Sequence, residues 1–277
     1  LRAGGRGPEQ VRLVLHGTTL ATNAVLERRG ARAAVLTTQG FRDVLDLGRG
    51  GRHDCQELQP ARAPPLVPRW LRFEVRQRHL ADGTELEALD EAGVAAAAEG
   101  LRAAGAESVA VCFLHSHRCA AHEERAACIL RTLLPGVRVC TSSSVSPEVR
   151  EYERFSTAAA NAYVQPLMSK YLQDVQQKLA AAGFRCPLLL MTSGGGLVDA
   201  DTAALLPVRL VESGPAGGVA LAESAARELG AGEVLSLDMG GTTAKICAVS
   251  QGRATIAHEF EVDRAERFRR GSGLPVR

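Results

Sequence analysis

No apolar run in the 277-residue sequence approaches the length of a membrane span, and no charged start followed by an apolar core marks a signal peptide. A bilayer-spanning or exported chain is therefore not expected, and a cytoplasmic one is. Excess charge is missing too: 33 basic and 31 acidic side chains leave a net +2, which makes no electrostatic case for nucleic acid. The run of Arg264, Arg267, Arg269 and Arg270 is short, with only Phe268 among its arginines, and reads as solvated surface. The seven cysteines are odd in number and form no Cys-x-x-Cys pair, which fits a reduced compartment better than a disulfide framework. Neither the Walker pattern nor the Gly-x-Gly-x-x-Gly dinucleotide pattern surrounds the glycine pair considered next. What is present, 45% apolar and 23% charged residues, is the balance of a folded globular protein of one large or two ordinary domains.

The stretch around which the rest is organised is Leu235 to Val249. An apolar run ends at Asp238, Gly240, Gly241, Thr242 and Thr243 follow, and a second apolar run leaves at once. That reads as strand, tight turn, strand. The glycine pair frees the turn to take positive φ and aim successive backbone N–H groups at one point, as a phosphate nest does. Asp238 would stand at its mouth, able to hold a hydrated divalent cation. An ordinary hairpin is the competing reading.

Upstream, Val11 to Leu15 is a strand-length run, and His16-Gly17-Thr18-Thr19 leads into a helix from Leu20 to Arg29 closed by Gly30. With a strand from Ala33 to Thr37 this makes a β-α-β unit and implies a parallel sheet. A short helix over Phe41 to Leu47 and an irregular, proline-bearing loop from Gly48 to Pro68 follow. Next come a strand over Trp70 to Leu80, a turn at Asp82-Gly83, and a helix N-capped by Asp90 and ending near Gly105. Ser108 to Leu114 is a buried strand, Ala121 to Leu134 a helix, and Val137 to Cys140 a strand. Ser146-Pro147-Glu148 reads as a helix start. That helix carries Glu151, Glu153 and Arg154 on a solvated face and bends or restarts at Pro166. Beyond Pro187 the text turns to strand-turn-helix units, and the small-residue segment Glu212 to Gly218 opens an Ala-rich helix. There Gly214, Gly217 and Gly218 permit close approach of either a neighbouring helix or a ligand.

One cluster tempts toward a metal. His115, His117, Cys119 and His122 offer imidazole and thiolate, but their spacing matches none of the usual zinc patterns, so a polar strand end and helix start is preferred.

Segments in a fixed order carry a resemblance over almost the whole chain. They are His16 to Ala24, Gln39 to Val44, Ser146 to Arg154, Asn161 to Pro166, Ser193-Gly-Gly-Gly-Leu197, Glu212-Ser-Gly-Pro-Ala-Gly-Gly-Val219 and Asp238-Met-Gly-Gly-Thr-Thr243. The sequence resembles the hydantoinase A and 5-oxoprolinase family, relatives of acetone carboxylase subunits, within the actin, sugar kinase and heat-shock chaperone superfold. The resemblance implies an α/β, ribonuclease H-like (actin-like ATPase) two-lobe fold. Residues 1–145 would be a first lobe lacking its N-terminal phosphate hairpin, 146–184 linking helices, and 185–277 the start of the second lobe. Opening at Leu1 and stopping at Arg277, without the first phosphate hairpin or the adenosine segment that the resemblance places beyond the second, the chain reads as incomplete at both ends and inactive alone.

The activity implied is ATP-dependent hydrolysis of a cyclic amide, of hydantoin or 5-oxoproline type, through phosphorylation of the amide oxygen. The cofactors implied are ATP and Mg²⁺, and the partner a hydantoinase B-like subunit or domain. In that reading Gly240, Gly241, Thr242 and Thr243 hold phosphate oxygens, Asp238 acts through a Mg²⁺-bound water, and Gly214, Gly217 and Gly218 line the nucleotide. Lys245 either adds positive charge or points elsewhere. His16, Thr18, Thr19 and Asn23 are cleft candidates because their turn leaves the carboxyl end of a strand. Where this branch usually shows Gly-Arg-Glu-x-Arg-Tyr-Asp-x-Tyr-Asp-Leu, the chain has Gly48-Arg-Gly-Gly-Arg-His-Asp-Cys-Gln-Glu-Leu58, so the substrate-side loop is altered. An ATP-dependent ketone carboxylase subunit and a truncated non-catalytic paralogue are the alternatives.

Overall fold

The computed structural model describes residues 7–50, 56, 58, 63–239, 244–254, 259–266 and 269–277, with Ala244 and Lys245 by backbone alone. In chain order the elements are β1 (Val14–His16), α1 (Leu20–Leu26), β2 (Ala33–Thr38), α2 (Val44–Leu47), β3 (Arg72–Val75), β4 (Arg78–His79), β5 (Glu85–Glu87), α3 (Glu91–Ala103), β6 (Ser108–Cys112), α4 (Ala121–Leu133) and β7 (Arg138–Thr141). There follow α5 (Ser142–Val145), α6 (Glu151–Ala181), β8 (Leu188–Met191), β9 (Leu197–Asp199), α7 (Ala200–Leu205), α8 (Ser213–Leu229), β10 (Glu233–Met239), β11 (Ala244–Ser250), β12 (Arg253–Ala254), β13 (Phe260–Val262) and β14 (Leu274–Val276). Contacts divide these between two compact units, a first of Leu1–Asn23 with Met168–His258 and a second of Ala24–Leu167 with Glu259–Arg277. The lobes expected at 145 and 185 are a division by resemblance rather than by contact and belong to the functional proposal.

The second unit is built on a four-stranded parallel sheet in the order β3-β2-β6-β7. Every residue of β2 and β6 is buried, which suits a parallel sheet covered on both faces. Val35, Leu36, Val109, Val111, Leu101 and Leu130 form its core. The Asp90 carboxylate accepts from Gly93 N at 2.9 Å and caps α3 as its sequence predicts. Asp82-Gly83 turns β4 into β5, with Gly83 at φ 93°.

The first unit carries two sheets, β1-β8-β9 and β10-β11-β12. Its strand β1 runs parallel to β8 and not to β2, so the expected β-α-β unit does not form. The chain after α1 joins a different sheet. Gly30 also serves another purpose than closing α1, which ends at Leu26 with Arg28 at φ 55°. A Cβ at Gly30 would lie 2.2 Å from the Tyr163 ring, so close approach demands the glycine.

Four further expectations change. The run from Trp70 to Leu80 is a 3₁₀ turn and two short strands, and α6 begins at Glu151 because Ser146 closes the separate helix α5. Helix α6 passes through Pro166 without restarting. A proline there leaves the Ala162 carbonyl without its helical amide, and the buried Ser108 hydroxyl donates to that oxygen at 2.6 Å. Finally, Glu153 and Arg154 are 1% exposed rather than on a solvated face. Arg49 pairs with Glu153, while Arg154 donates to Ser142 Oγ at 3.2 Å, Glu148 O at 2.9 Å and Phe113 O at 3.1 Å.

Candidate functional site

In the first unit β1 and β8 run parallel in register, His16 beside Leu190, so both chains leave the sheet at the same edge. At such carboxyl edges open α/β sheets place their ligands. From β1 comes Gly17-Thr18-Thr19, where Thr18 Oγ1 accepts from Leu20 N at 3.2 Å and starts α1. The first turn of α8 is clipped to the same place. Glu212 takes a left-handed conformation at φ 65° and donates its N–H to Thr22 Oγ1 at 2.8 Å, while the Ser213 hydroxyl donates to Thr18 O at 3.2 Å. Thr22 lies within the His16 to Ala24 segment, but one hydroxyl inside a helix gave the sequence no reason to single it out.

The glycines of α8 face three neighbours. A Cβ at Gly214 would meet the Thr19 methyl at 3.7 Å, one at Gly217 the Met191 Cε at 4.0 Å, and one at Gly218 the Ser236 Oγ at 4.0 Å. These are ordinary contact distances, so close packing requires none of the three glycines. The helix also starts without a side-chain cap from Glu212, and its dipole places partial positive charge at that end.

The hairpin is confirmed as strand against strand, β10 with β11, Met239 opposite Ala244 and Asp238 opposite Lys245. Its direction follows from what lies along α8. Gly252, just beyond β11, sits against Arg227, Ala254 N donates to Glu223 at 2.6 Å, and Ser236 lies beside Gly218. The hairpin therefore runs opposite to α8, and the ends Met239 and Ala244 point toward the helix N-terminus. Asp238 is exposed. Gly240, Gly241, Thr242 and Thr243 lie outside the described residues, as does the Lys245 side chain.

Of the cleft candidates, His16 is held by Tyr171, its Nε2 at 2.7 Å from the phenol oxygen. Burial keeps this histidine below its ordinary pKa and hence neutral at pH 7. Thr18 and Thr19 lie against Ser213 and Gly214, and Asn23 is exposed.

The described start of the altered loop lies in the second unit. There Arg49 pairs with Glu153 and donates to both oxygens of Glu259 at 2.9 and 2.8 Å. A cavity of 360 Å³ opens there between Gly48, Arg49, Tyr152, Glu259, Glu261 and Arg270.

Comparison with known proteins converges on one family. The hydantoinase/oxoprolinase N-terminal region matches residues 2–134, and the hydantoinase/oxoprolinase family matches 154–277. Caprolactamase subunit alpha of Pseudomonas jessenii is 34% identical over 93% of this chain and 38% of its own length. The 5-oxoprolinase of Saccharomyces cerevisiae is 32% identical over 91% of this chain and 21% of its own. An acetone carboxylase, solved nucleotide-free, superposes on 95% of this chain and 38% of that one, with a TM-score of 0.80 and 25% identity. The chain thus spans two fifths or less of the length of these relatives. With both halves matched, and with relatives above 30% identity over nearly its whole extent, the chain belongs to the hydantoinase/oxoprolinase family.

Proposed function

We propose that the chain forms part of a subunit that uses ATP to open a cyclic amide. The observation that carries this is the convergence at the α8 N-terminus. The Thr18-Thr19 turn lies at that N-terminus, three glycines that packing does not require stand in the first turns of the helix, and the Asp-bearing hairpin runs toward it. A backbone cradle at a helix N-terminus with room above it suits phosphate oxygens. The exposed Asp238 carboxylate suits a hydrated Mg²⁺, which prefers to keep several waters and take one or two carboxylates.

In this reading the chain belongs to a ribonuclease H-like, two-lobe ATPase, with lobes bounded near 145 and 185. Bound Mg²⁺–ATP supplies the phosphoryl group that makes the amide oxygen a leaving group. The protein positions and neutralises, which is most of what catalysis of phosphoryl transfer requires. Gly240, Gly241, Thr242 and Thr243 offer N–H and hydroxyl donors to phosphate oxygens, Lys245 adds positive charge, and Gly214, Gly217 and Gly218 leave space for the nucleotide. Asp238 orients the metal's waters. His16, neutral and fixed by Tyr171, stands as a hydrogen-bonding group at the sheet edge with Thr18, Thr19 and Asn23. Relatives named as subunits alpha, beta and gamma support a partner, and a hydantoinase B-like subunit or domain fits that role.

A second reading has its own support. An acetophenone carboxylase gamma subunit, 32% identical over 87% of the chain, makes a ketone the rival acceptor of the phosphoryl group. The test is ATP turnover by the full-length gene product with hydantoin, 5-oxoproline, caprolactam or acetone and bicarbonate. Stimulation by a lactam with ring-opened product supports the first reading. Stimulation by the ketone alone with a carboxylated product overturns it.

A further inference from the structure

Four of the seven histidines belong to the second unit at or near the carboxyl edge of its parallel sheet, and two of them meet across elements distant in sequence. His79 on β4 is 3% exposed, and His122 in the first turn of α4 is 7% exposed. Their ring centroids are 4.1 Å apart. Glu85, on the partner strand β5, reaches over the pair from the solvent side, its Oε2 at 2.8 Å from His122 Nε2. Ligand atoms of all three side chains lie within 4.8 Å of one another.

The hydrogen bonds around His122 fix what each nitrogen does. Its Nδ1 lies 3.0 Å from the Gln77 side-chain oxygen, which only accepts, so Nδ1 carries the proton. Gln77 is itself oriented, donating through its amide nitrogen to Thr38 Oγ1, which also accepts from Leu114 N at 3.0 Å. The Nε2 of His122 faces the Glu85 carboxylate oxygen, a contact that a proton on Nε2 closes and that a metal ion taking the proton's place would also close. His79 brings a third ligand atom to the same place. Among the described residues no hydrogen bond engages its ring nitrogens, and its ring lies against that of His122.

We infer that His79, Glu85 and His122 form a site for a divalent metal ion of the zinc class, with an open position facing solvent. Two neutral imidazoles and a carboxylate are a zinc donor set, and a histidine whose other nitrogen is tied to an oriented acceptor is the usual supporting arrangement. Tetrahedral zinc spaces its ligand atoms about 3.3 Å apart. The site closes on a metal by rotation of the half-exposed Glu85 and a small turn of His79. The metal would tie the β4–β5 hairpin to α4. In the sequence His122 was weighed as a ligand with His115, His117 and Cys119, a set whose spacing matches no usual zinc pattern. In the structure the His115 and His117 rings lie 6.1 Å apart, and His122 takes its partners from β4 and β5.

The test is metal binding by the chelator-stripped chain, read without any activity. Titration with Co²⁺ is expected to give one equivalent with a tetrahedral visible spectrum and no sulfur-to-cobalt charge-transfer band. Zn²⁺ is expected to displace the Co²⁺ and raise the unfolding temperature. Glu85→Gln, which alters an exposed side chain and should leave the fold intact by circular dichroism, is expected to weaken binding at least about tenfold. Gln77→Leu is expected to weaken it about 10- to 100-fold, and His79→Ala with His122→Ala to abolish it. Binding of equal affinity in the double variant, a cysteine charge-transfer band, or the absence of any saturable binding would each overturn the inference.

Discussion

Replacing Ser108 by alanine tests whether the unbroken passage of α6 through Pro166 rests on one borrowed donor. Ser108 is fully buried, and its hydroxyl reaches the Ala162 carbonyl, which the proline deprives of its helical partner, at 2.6 Å. A buried carbonyl left without a donor costs about 1–3 kcal/mol, so Ser108→Ala is expected to cost about 2 kcal/mol. In a Pro166→Ala background the helix supplies the amide itself, and the same substitution should then cost only about 0.5 kcal/mol. The difference, about 1.5 kcal/mol of coupling, is what a double-mutant cycle isolates. Urea unfolding followed by Trp70, the chain's sole tryptophan, reports on the second unit, where all four residues lie. Equal costs in the two backgrounds would refute the reasoning.

Gly218→Ala separates stability from function. The added methyl meets Ser236 at ordinary distance, so helix propensity should raise stability by up to about 1 kcal/mol, while nucleotide binding weakens; binding unchanged alongside that gain would remove the glycine from the site. Around Ser142, Arg154→Met should cost about 3 kcal/mol, because it leaves the Ser142 hydroxyl and the Glu148 and Phe113 carbonyls without their donor. Glu123→Gln should cost less, since burial already raises that carboxyl's pKa toward the neutral form; the reverse order in thermal melts would contradict the assignment. Stability of the second unit should also fall on acidification. His79, His115 and His117 are held below their ordinary pKa chiefly by burial. The unfolded chain therefore takes up protons first below about pH 6.5, and stability declines as pH drops through the lowered values. Glu123 works in the opposite sense, so the Trp70 midpoint is best compared in Glu123→Gln, where a rise on acidification would contradict the burial argument.

What the sequence made legible was local. The Asp90 cap, the Asp82-Gly83 turn and the β10–β11 hairpin each depend on residues within a few positions, and each appears where it was expected. Pairing at a distance was not legible. Strand β1 finds β8 more than 170 residues away, and nothing near Val14 says which of several apolar runs it will join. The buried charges failed for the same reason. Glu153 and Arg154 look like a helix surface until Arg49 and Ser142 arrive from other elements to receive them. Gly30 carried a plausible local reason, a helix end, while its actual demand comes from the Tyr163 ring. At the candidate site the turn at His16 and the glycines of α8 were found by motif, whereas Tyr171, which holds His16, stands in no motif, and Thr22 is one unmarked position of the His16 to Ala24 segment.

The central claim is that the hairpin beside the α8 N-terminus handles the phosphates through Asp238. Its most direct test is lactam-dependent ATP turnover by the full-length gene product, wild type against Asp238→Ala, with folding checked by circular dichroism. Loss of a group that organises charge in the transition state is expected to lower turnover about 100- to 1,000-fold with the melting temperature unchanged. Turnover within about twofold of wild type, a difference of under 1 kcal/mol in barrier, would contradict the account.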